Sequence, residues 1–92
     1  MWERLRAHFQ SEIAGFDLPA AFAKDARRLQ KLSLQAPYVF ADLSKNWLSS
    51  TSEQLLSQLA TACNVHTLRA AMLAGEPINC TESRAVMHWL LR

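Results

Sequence analysis

Apolar residues recur at helical spacing near the start of the chain. The first stripe predicts an amphipathic helix over 2–13, with Gly15 as its stop. Its members are Trp2, Leu5, Phe9 and Ile13. A second stripe predicts another helix from Pro19 to about Lys31, since proline fits a first helical turn. Its members are Phe22, Ala26, Leu29 and Leu32.

A short apolar run follows Pro37 and predicts a strand over 38–43. The run is nearly continuous, which is typical of a strand buried on both faces of a parallel sheet in an α/β fold. No second strand of similar quality is predicted, and a lone buried strand leaves its backbone polar groups unpaired. We therefore expect the strand to pair with another copy, or with a sheet whose other strands lie outside an incomplete chain.

Helical signals dominate the second half. Ser50-x-x-Glu53 is a capping box, with Thr51-x-x-Gln54 as the overlapping alternative, and either predicts a helix that ends at Cys63. Asn64 is expected to adopt the left-handed conformation after it. A further short helix is predicted around 68–72, closed by Gly75.

The last predicted helix starts at Thr81, a good N-cap, and carries Val86, Trp89 and Leu90 on one side. It reaches the end of the chain without a stop signal, which is a second indication of incompleteness. The predicted fold is thus mostly α, with four or five helices and one strand.

Composition and charge restrict the function classes. The chain has 92 residues, half of them apolar, with a net charge of +2 and a pI near 8.8. This is ordinary globular composition for one small domain, and the basic excess is weak for a nucleic-acid partner. No apolar run is long enough to span a membrane, and the N-terminus lacks a secretory signal. We therefore expect a cytoplasmic protein without a membrane or nucleic-acid partner.

Few residues point to chemistry. Cys63 and Cys80 lack zinc-site spacing and are predicted to be buried thiols, a disulfide being the alternative. The histidines are predicted to be surface or core residues without partners at useful spacing; they are His8, His66 and His88. The densest basic cluster is predicted to be the solvated face of a helix. It comprises Lys24, Arg27, Arg28 and Lys31.

Two further arrangements are candidate anion sites. The segment 44–46 (Ser-Lys-Asn) follows the predicted strand, where ligands of α/β sheets bind, but it lacks the glycines of a phosphate loop. Arg84, His88 and Arg92 would form a row on the last predicted helix. We predict a structural turn for the first and a polar helix face for the second, so no catalytic, cofactor or metal residue is assigned.

The strongest alternative is a small helical interaction or DNA-binding module. Residues 54–73 loosely fit a helix-turn-helix, whose second helix would present His66, Thr67 and Arg69 to a major groove. The turn has no glycine and the second helix a single arginine, so the signal is weak.

Several segments resemble the glucose-6-phosphate isomerase family, in that family's order. Residues 17–34 resemble its early "LFA-x-D" and "RF-x-x-FS" runs, and 42–46 (DLSKN) its D-[FY]-S-K-N segment. Residues 68–79 (LRAAMLAGEPIN) and 81–92 (TESRAVMHWLLR) resemble two nearly contiguous, highly specific motifs. The departures are apolar replacements, at Leu43, Leu73 and Trp89-Leu90.

The resemblance implies an N-terminal segment of an α/β enzyme with two sugar-isomerase (SIS) domains. Such enzymes act as homodimers, without a metal or other cofactor, and interconvert glucose 6-phosphate and fructose 6-phosphate in glycolysis and gluconeogenesis. A glutamate moves a proton between C1 and C2 of the opened sugar through an enediol. The family's catalytic and phosphate-binding residues lie beyond the residues present here. We therefore expect 1–92 to be an inactive structural segment that self-associates through its strand or its apolar helix faces.

Overall fold

A computed structural model describes residues 1–91. The described chain is mostly helical, with two antiparallel strands. The first helix, α1, spans Trp2–His8 and continues as a π-helix over Phe9–Ile13, which closes with the Ala14 N–H donating to Phe9 O at 2.8 Å. The helix predicted over 2–13 is therefore confirmed in extent, with a wider last turn.

The second predicted helix is broken in two. Helix α2 spans Leu18–Lys24, and its N-cap Asp17 accepts the Ala20 N–H at 3.1 Å. Helix α3 is a single turn, Arg28–Lys31. One continuous helix from Pro19 to Lys31 was wrong, because Asp25 adopts an extended backbone and its carboxylate accepts the Arg27 N–H at 3.0 Å.

The strand predicted over 38–43 is one half of a β-hairpin. Strand β1 (Ser33–Ala36) pairs antiparallel with β2 (Val39–Asp42) through a two-residue turn of Pro37 and Tyr38. The prediction of a single strand was wrong. The missed signal was the polar–apolar alternation before Pro37. The turn itself was not visible in the sequence, because Tyr38 adopts a positive φ of 64°, a geometry usually filled by glycine.

The register of the hairpin separates an apolar face from a polar one. Cross-strand pairs share a face, so Leu34 lies beside Ala41, and Ala36 beside Val39. The opposite face carries Ser33, Gln35, Phe40 and Asp42. Both faces are largely exposed, which contradicts the expected burial of this strand on two sides.

Helices α4 (Ser50–Ala62) and α5 (Val65–Leu73) follow their predicted positions. Asn64 has the expected left-handed conformation, with φ 54°. After α5, Gly75 at φ 77° allows its own N–H and the next one to close a Schellman motif on Met72 O and Ala71 O. The predicted ends of both helices are thereby confirmed.

The start of α4 differs from the expected capping box. The Ser49 N–H donates to Ser52 Oγ at 3.1 Å, and the Ser52 N–H donates to Ser49 Oγ at 3.3 Å. This reciprocal pair satisfies two N–H groups at the helix start, as a capping box does. The cap is therefore Ser49, one residue before the predicted Ser50.

The helix predicted from Thr81 onward is not formed. Asn79 Oδ1 accepts hydrogen bonds from the Thr81 and Glu82 N–H groups, and the Asn79 and Arg84 backbones form a bridge. These local bonds satisfy the backbone without a helix. Only a 3₁₀ turn, His88–Leu91, follows; of the predicted basic row, Arg92 lies outside the described residues.

Contacts divide the described chain into two units. Trp2–Leu55 form one, and the residues from Leu56 onward, with Met1, form the other. In the first unit the buried apolar side chains are Leu32 and Leu55, a small core for that length. Within residues 1–91, no helix combines the length and apolarity that a membrane crossing demands.

Candidate functional site

The best-organised polar cluster of the first unit is built on Arg28. Its guanidinium donates to three backbone carbonyls: Nε to Ser44 O at 2.8 Å, Nη2 to Asn46 O at 2.8 Å and Nη1 to Leu48 O at 3.0 Å. The side chain is only 8% exposed. The prediction that Arg28 lies on a solvated helix face was therefore wrong, because the break at Asp25 turns α3 toward the segment after β2.

Aromatic rings complete the surroundings of this guanidinium. Its central carbon lies 5.5 Å from the ring centroid of Phe16 and 5.6 Å from that of Phe22. Distances of this size permit cation–π attraction, which contributes more when the charge is shielded from water. Carbonyl dipoles and ring faces thus stabilise Arg28 together.

The segment 44–46 has few donors left for a phosphate. The Ser44 N–H donates to Asp42 Oδ1 at 2.8 Å, and the Asn46 N–H donates to Leu43 O at 3.1 Å. A phosphate loop needs such N–H groups free and pointing at the ligand. The geometry suits a turn whose carbonyls are bound by the Arg28 guanidinium. The assignment of this segment to the scaffold stays a prediction.

Ser44 itself is 1% exposed, and its hydroxyl makes no hydrogen bond of good geometry with the described residues. The hydroxyl of Ser44 close to the carboxylate, and the Ser44 backbone N–H that donates to it, hold the pKa of Asp42 below its usual value. Asp42 therefore acts as an ionised cap for the turn.

A cleft of about 180 Å³ lies beside Arg28, whose charge makes the cleft a candidate anion site. It is lined by Lys31, the start of α4, and two carboxylates, Asp25 and Glu53. Lys31 forms an ion pair with Asp25, and that bond, with the Arg27 N–H, holds the pKa of Asp25 below its usual value. The cations here already have partners, so the cleft offers a phosphate no unmatched positive charge.

His8, Ser52 and Glu12 form a second polar cluster. His8 Nε2 lies 2.7 Å from Ser52 Oγ, and His8 Nδ1 lies 3.4 Å from Glu12 Oε2. The prediction that His8 lacks partners was wrong: Glu12 is one helical turn away, and Ser52 is brought from α4. The serine hydroxyl, the imidazole and the carboxylate are thus arranged like a nucleophile, its base and the group that orients the base.

Burial argues against nucleophilic chemistry at this cluster. Ser52 is 5% exposed, and its hydroxyl already accepts the Ser49 N–H. A substrate carbonyl could not approach the oxygen without disrupting the start of α4. The arrangement instead fastens the end of α1 to the cap of α4.

The remaining candidates are scattered. Cys63 and Cys80 are free and exposed, so the prediction of buried thiols was wrong. Arg84 bonds Glu82, with Nη2 to Oε2 at 2.6 Å, while His88 lies in the 3₁₀ turn; the predicted row is absent because its helix is absent. No set of three His, Cys, Asp or Glu side chains within residues 1–91 is arranged to hold a metal ion.

Helices α4 and α5 follow one another closely, with left-handed Asn64 directly before α5, which is the element order that the DNA-binding alternative requires. His66, Thr67 and Arg69 are exposed on α5, as that alternative needs. Exposure is general along this part of the chain, however, and Arg69 is the single arginine of α5. The pair of helices α4 and α5 therefore adds nothing specific in favour of DNA binding.

Sequence reasoning missed both polar clusters. Arg28 is separated from its carbonyl acceptors by 16 to 20 residues, and backbone acceptors leave no trace in residue types. The His8–Glu12 spacing of four was visible, because residues at i and i+4 share a helical face. The Ser52 contact, 44 residues away, was not.

Comparison with known proteins gives consistent matches. A sequence model described as "Phosphoglucose isomerase" matches residues 42–92, which is more than half of the chain. Proteins named glucose-6-phosphate isomerase are similar over 91 residues, 99% of this chain. They come from Methylibium petroleiphilum (52% identical), Polaromonas naphthalenivorans (53%) and Leptothrix cholodnii (55%).

These relatives are much longer than the present chain. The match covers 17% of the Methylibium and Leptothrix proteins and 18% of the Polaromonas protein. More than four-fifths of each relative thus has no counterpart among these 92 residues. The matched region includes the Arg28 cluster, the hairpin and helices α4 and α5.

Proposed function

We propose, from the premise that this chain belongs to the phosphoglucose isomerase family, that it is the N-terminal structural segment of a glucose-6-phosphate isomerase. The observation that carries the proposal is identity of 52–55% across 99% of the chain with relatives of which it spans only 17–18%. The whole enzyme would interconvert glucose 6-phosphate and fructose 6-phosphate, in glycolysis and gluconeogenesis.

The proposed architecture of the whole enzyme is an α/β protein with two sugar-isomerase domains, acting as a cytoplasmic homodimer without a cofactor. The residues present here would supply scaffold and no catalytic group. Three features support a scaffold role: the Arg28 guanidinium donates its hydrogen bonds to backbone carbonyls, the N–H groups of Ser44 and Asn46 are engaged, and the buried Ser52 hydroxyl accepts the N–H of the α4 cap, Ser49.

The proposal is tested by a chimera. This chain replaces the matching 91 residues of the Methylibium isomerase, and conversion of fructose 6-phosphate is measured with a coupled dehydrogenase. We expect the chimera to retain at least about a tenth of the parental kcat/KM, a loss below roughly 1.4 kcal/mol of transition-state stabilisation.

The 92-residue chain alone is assayed in parallel, at the same molar concentration. We expect no rate above that of buffer. A folded chimera without isomerase activity would contradict the proposed enzyme, and turnover by the chain alone would contradict the assignment of catalysis to absent residues.

A further inference from the structure

The apolar face of the hairpin has no cover within the first unit. It consists of Leu34, Ala36, Val39 and Ala41. Leu34 is 60% exposed and Val39 57% exposed. A two-stranded hairpin is marginally stable by itself and needs packing against one face.

The other face of the same hairpin differs in chemistry. Ser33, Gln35 and Asp42 are polar, and only Phe40 is apolar. A sheet with one apolar face and one mainly polar face packs on the apolar side and meets water on the other. The chemistry therefore distinguishes the side that requires a partner.

We infer that this apolar face docks on the part of the isomerase that lies outside the present 92 residues. The inference rests on the proposed function, and it adds the surface through which the segment joins the enzyme. The occupant is a complementary apolar surface of the same enzyme.

Two observations favour this occupant over a second copy of the chain. More than four-fifths of each relative's length is available to supply the cover. The face itself is small, with four residues of which two are alanine, whereas a stable complex between separate proteins buries about 800 Å² on each partner. Within one enzyme, a small face can be covered without paying the entropy of association.

The test places charge on either side of the same strand in the chimera described above. Leu34→Glu puts a carboxylate on the apolar face, and Gln35→Glu puts one on the polar face, one residue away. We expect Leu34→Glu to lower the midpoint of thermal inactivation by at least about 5 °C, and Gln35→Glu to change it by less than about 2 °C.

The outcomes separate the two proposals. Equal effects of both substitutions, or none from Leu34→Glu, would overturn the docking inference while an active chimera upheld the proposed function. A folded chimera that does not isomerise would overturn the proposed function, and its unfolding midpoints would still report on docking. An insoluble chimera would contradict both, because the segment would not fit the enzyme body.

A second copy as occupant is tested on the 92-residue chain by light scattering. We expect any association of the chain to be equally strong in the Leu34→Glu and Gln35→Glu variants. A dimer that Leu34→Glu alone dissociates would overturn the inference, since the face would then be specific for a second copy.

Discussion

The hydrogen bonds inside the two units of the chain differ in how far apart in the sequence their partners lie. In Trp2–Leu55, polar side chains connect distant points of the sequence: Arg28 reaches carbonyls 16 to 20 residues away, and His8 reaches Ser52. From Leu56 onward, the side-chain bonds around Asn79 and Arg84 join residues two or three apart. The hydrogen bonds of Arg28 and His8 in the first unit are thus non-local, whereas those around Asn79 and Arg84 in the second are local.

This difference explains where sequence reasoning succeeded. Asn64 and Gly75 signal helix ends through their own backbone preferences, and both adopt the expected conformations. The hairpin required a turn at Pro37-Tyr38 without glycine, so its first strand was missed. The prediction of a helix after Thr81 was wrong for a different reason. Its apolar stripe indicates an amphipathic helix, and such a helix depends on tertiary packing for most of its stability.

In the candidate sites, too, features that depend on local residue types were predicted and those that depend on non-local contacts were missed. The assignment of 44–46 to the scaffold needed only the absence of glycine, which the sequence displays. The role of Arg28 could not be predicted, because three carbonyls of a downstream segment are its partners. Residue types record side-chain chemistry and say nothing of which backbone groups remain to be satisfied.

The largest expected effect comes from removing the arginine that fastens the first unit. Arg28→Ala should lower the free energy of unfolding by about 3 kcal/mol or more, because three carbonyls lose a charged donor. Arg28→Lys keeps the charge but loses the fork, and should cost less than the alanine variant. Urea denaturation followed by circular dichroism measures both.

The exposed neighbour Arg27 supplies the control. Arg27→Ala should change the free energy of unfolding by less than about 0.5 kcal/mol, as is usual for surface positions. If both alanine variants lost the same free energy of unfolding, the non-local hydrogen bonds of Arg28 would stabilise the chain no more than an exposed side chain does.

The cap of α4 should give the next largest effect. Ser49→Ala removes a hydroxyl that accepts the Ser52 N–H, and should cost about 1 kcal/mol. Ser50→Ala changes the residue that the sequence favoured as the cap, and should be within about 0.5 kcal/mol of the parent. A larger loss of stability for Ser50→Ala than for Ser49→Ala in urea denaturation would support the capping box predicted at Ser50.

Two glycines sharpen the comparison between the units. Gly75→Ala should destabilise by about 1 kcal/mol, because alanine is strained at φ 77°, although its Cβ would meet nothing closer than Met87 Sδ at 4.0 Å. A methyl group at Gly15 would point into open space, and the φ of Gly15 is not positive, so Gly15→Ala should stabilise by up to about 1 kcal/mol. Thermal unfolding of both variants should show shifts of opposite sign.

The smallest effect concerns acid. The pKa of Asp42 and that of Asp25 are lowered in the folded chain, so both carboxylates stabilise it at pH values above their unfolded pKa of 3.8. This contribution is lost as the pH falls below that value and through the folded pKa values. Urea midpoints measured from about pH 6 to pH 3 should therefore decline most steeply below about pH 4.

Asp42→Asn retains an oxygen acceptor for the Ser44 N–H but cannot ionise, which makes it the matched variant. Its urea midpoint should fall less steeply over the acid range than that of the parent. A decline of identical slope would mean that the Asp42 carboxylate has the same pKa in the folded and unfolded chains.

The bonds of Arg28 also set an order of events during synthesis. The chain leaves the ribosome N-terminus first, at about 5–20 residues per second, so the guanidinium emerges roughly one to four seconds before Ser44 and Leu48 can accept its hydrogen bonds. Both strands of the hairpin emerge within that interval. The nascent hairpin can therefore close before Arg28 bonds the segment that follows it, and a slower or faster passage of 44–48 would change how long that segment lacks its donor.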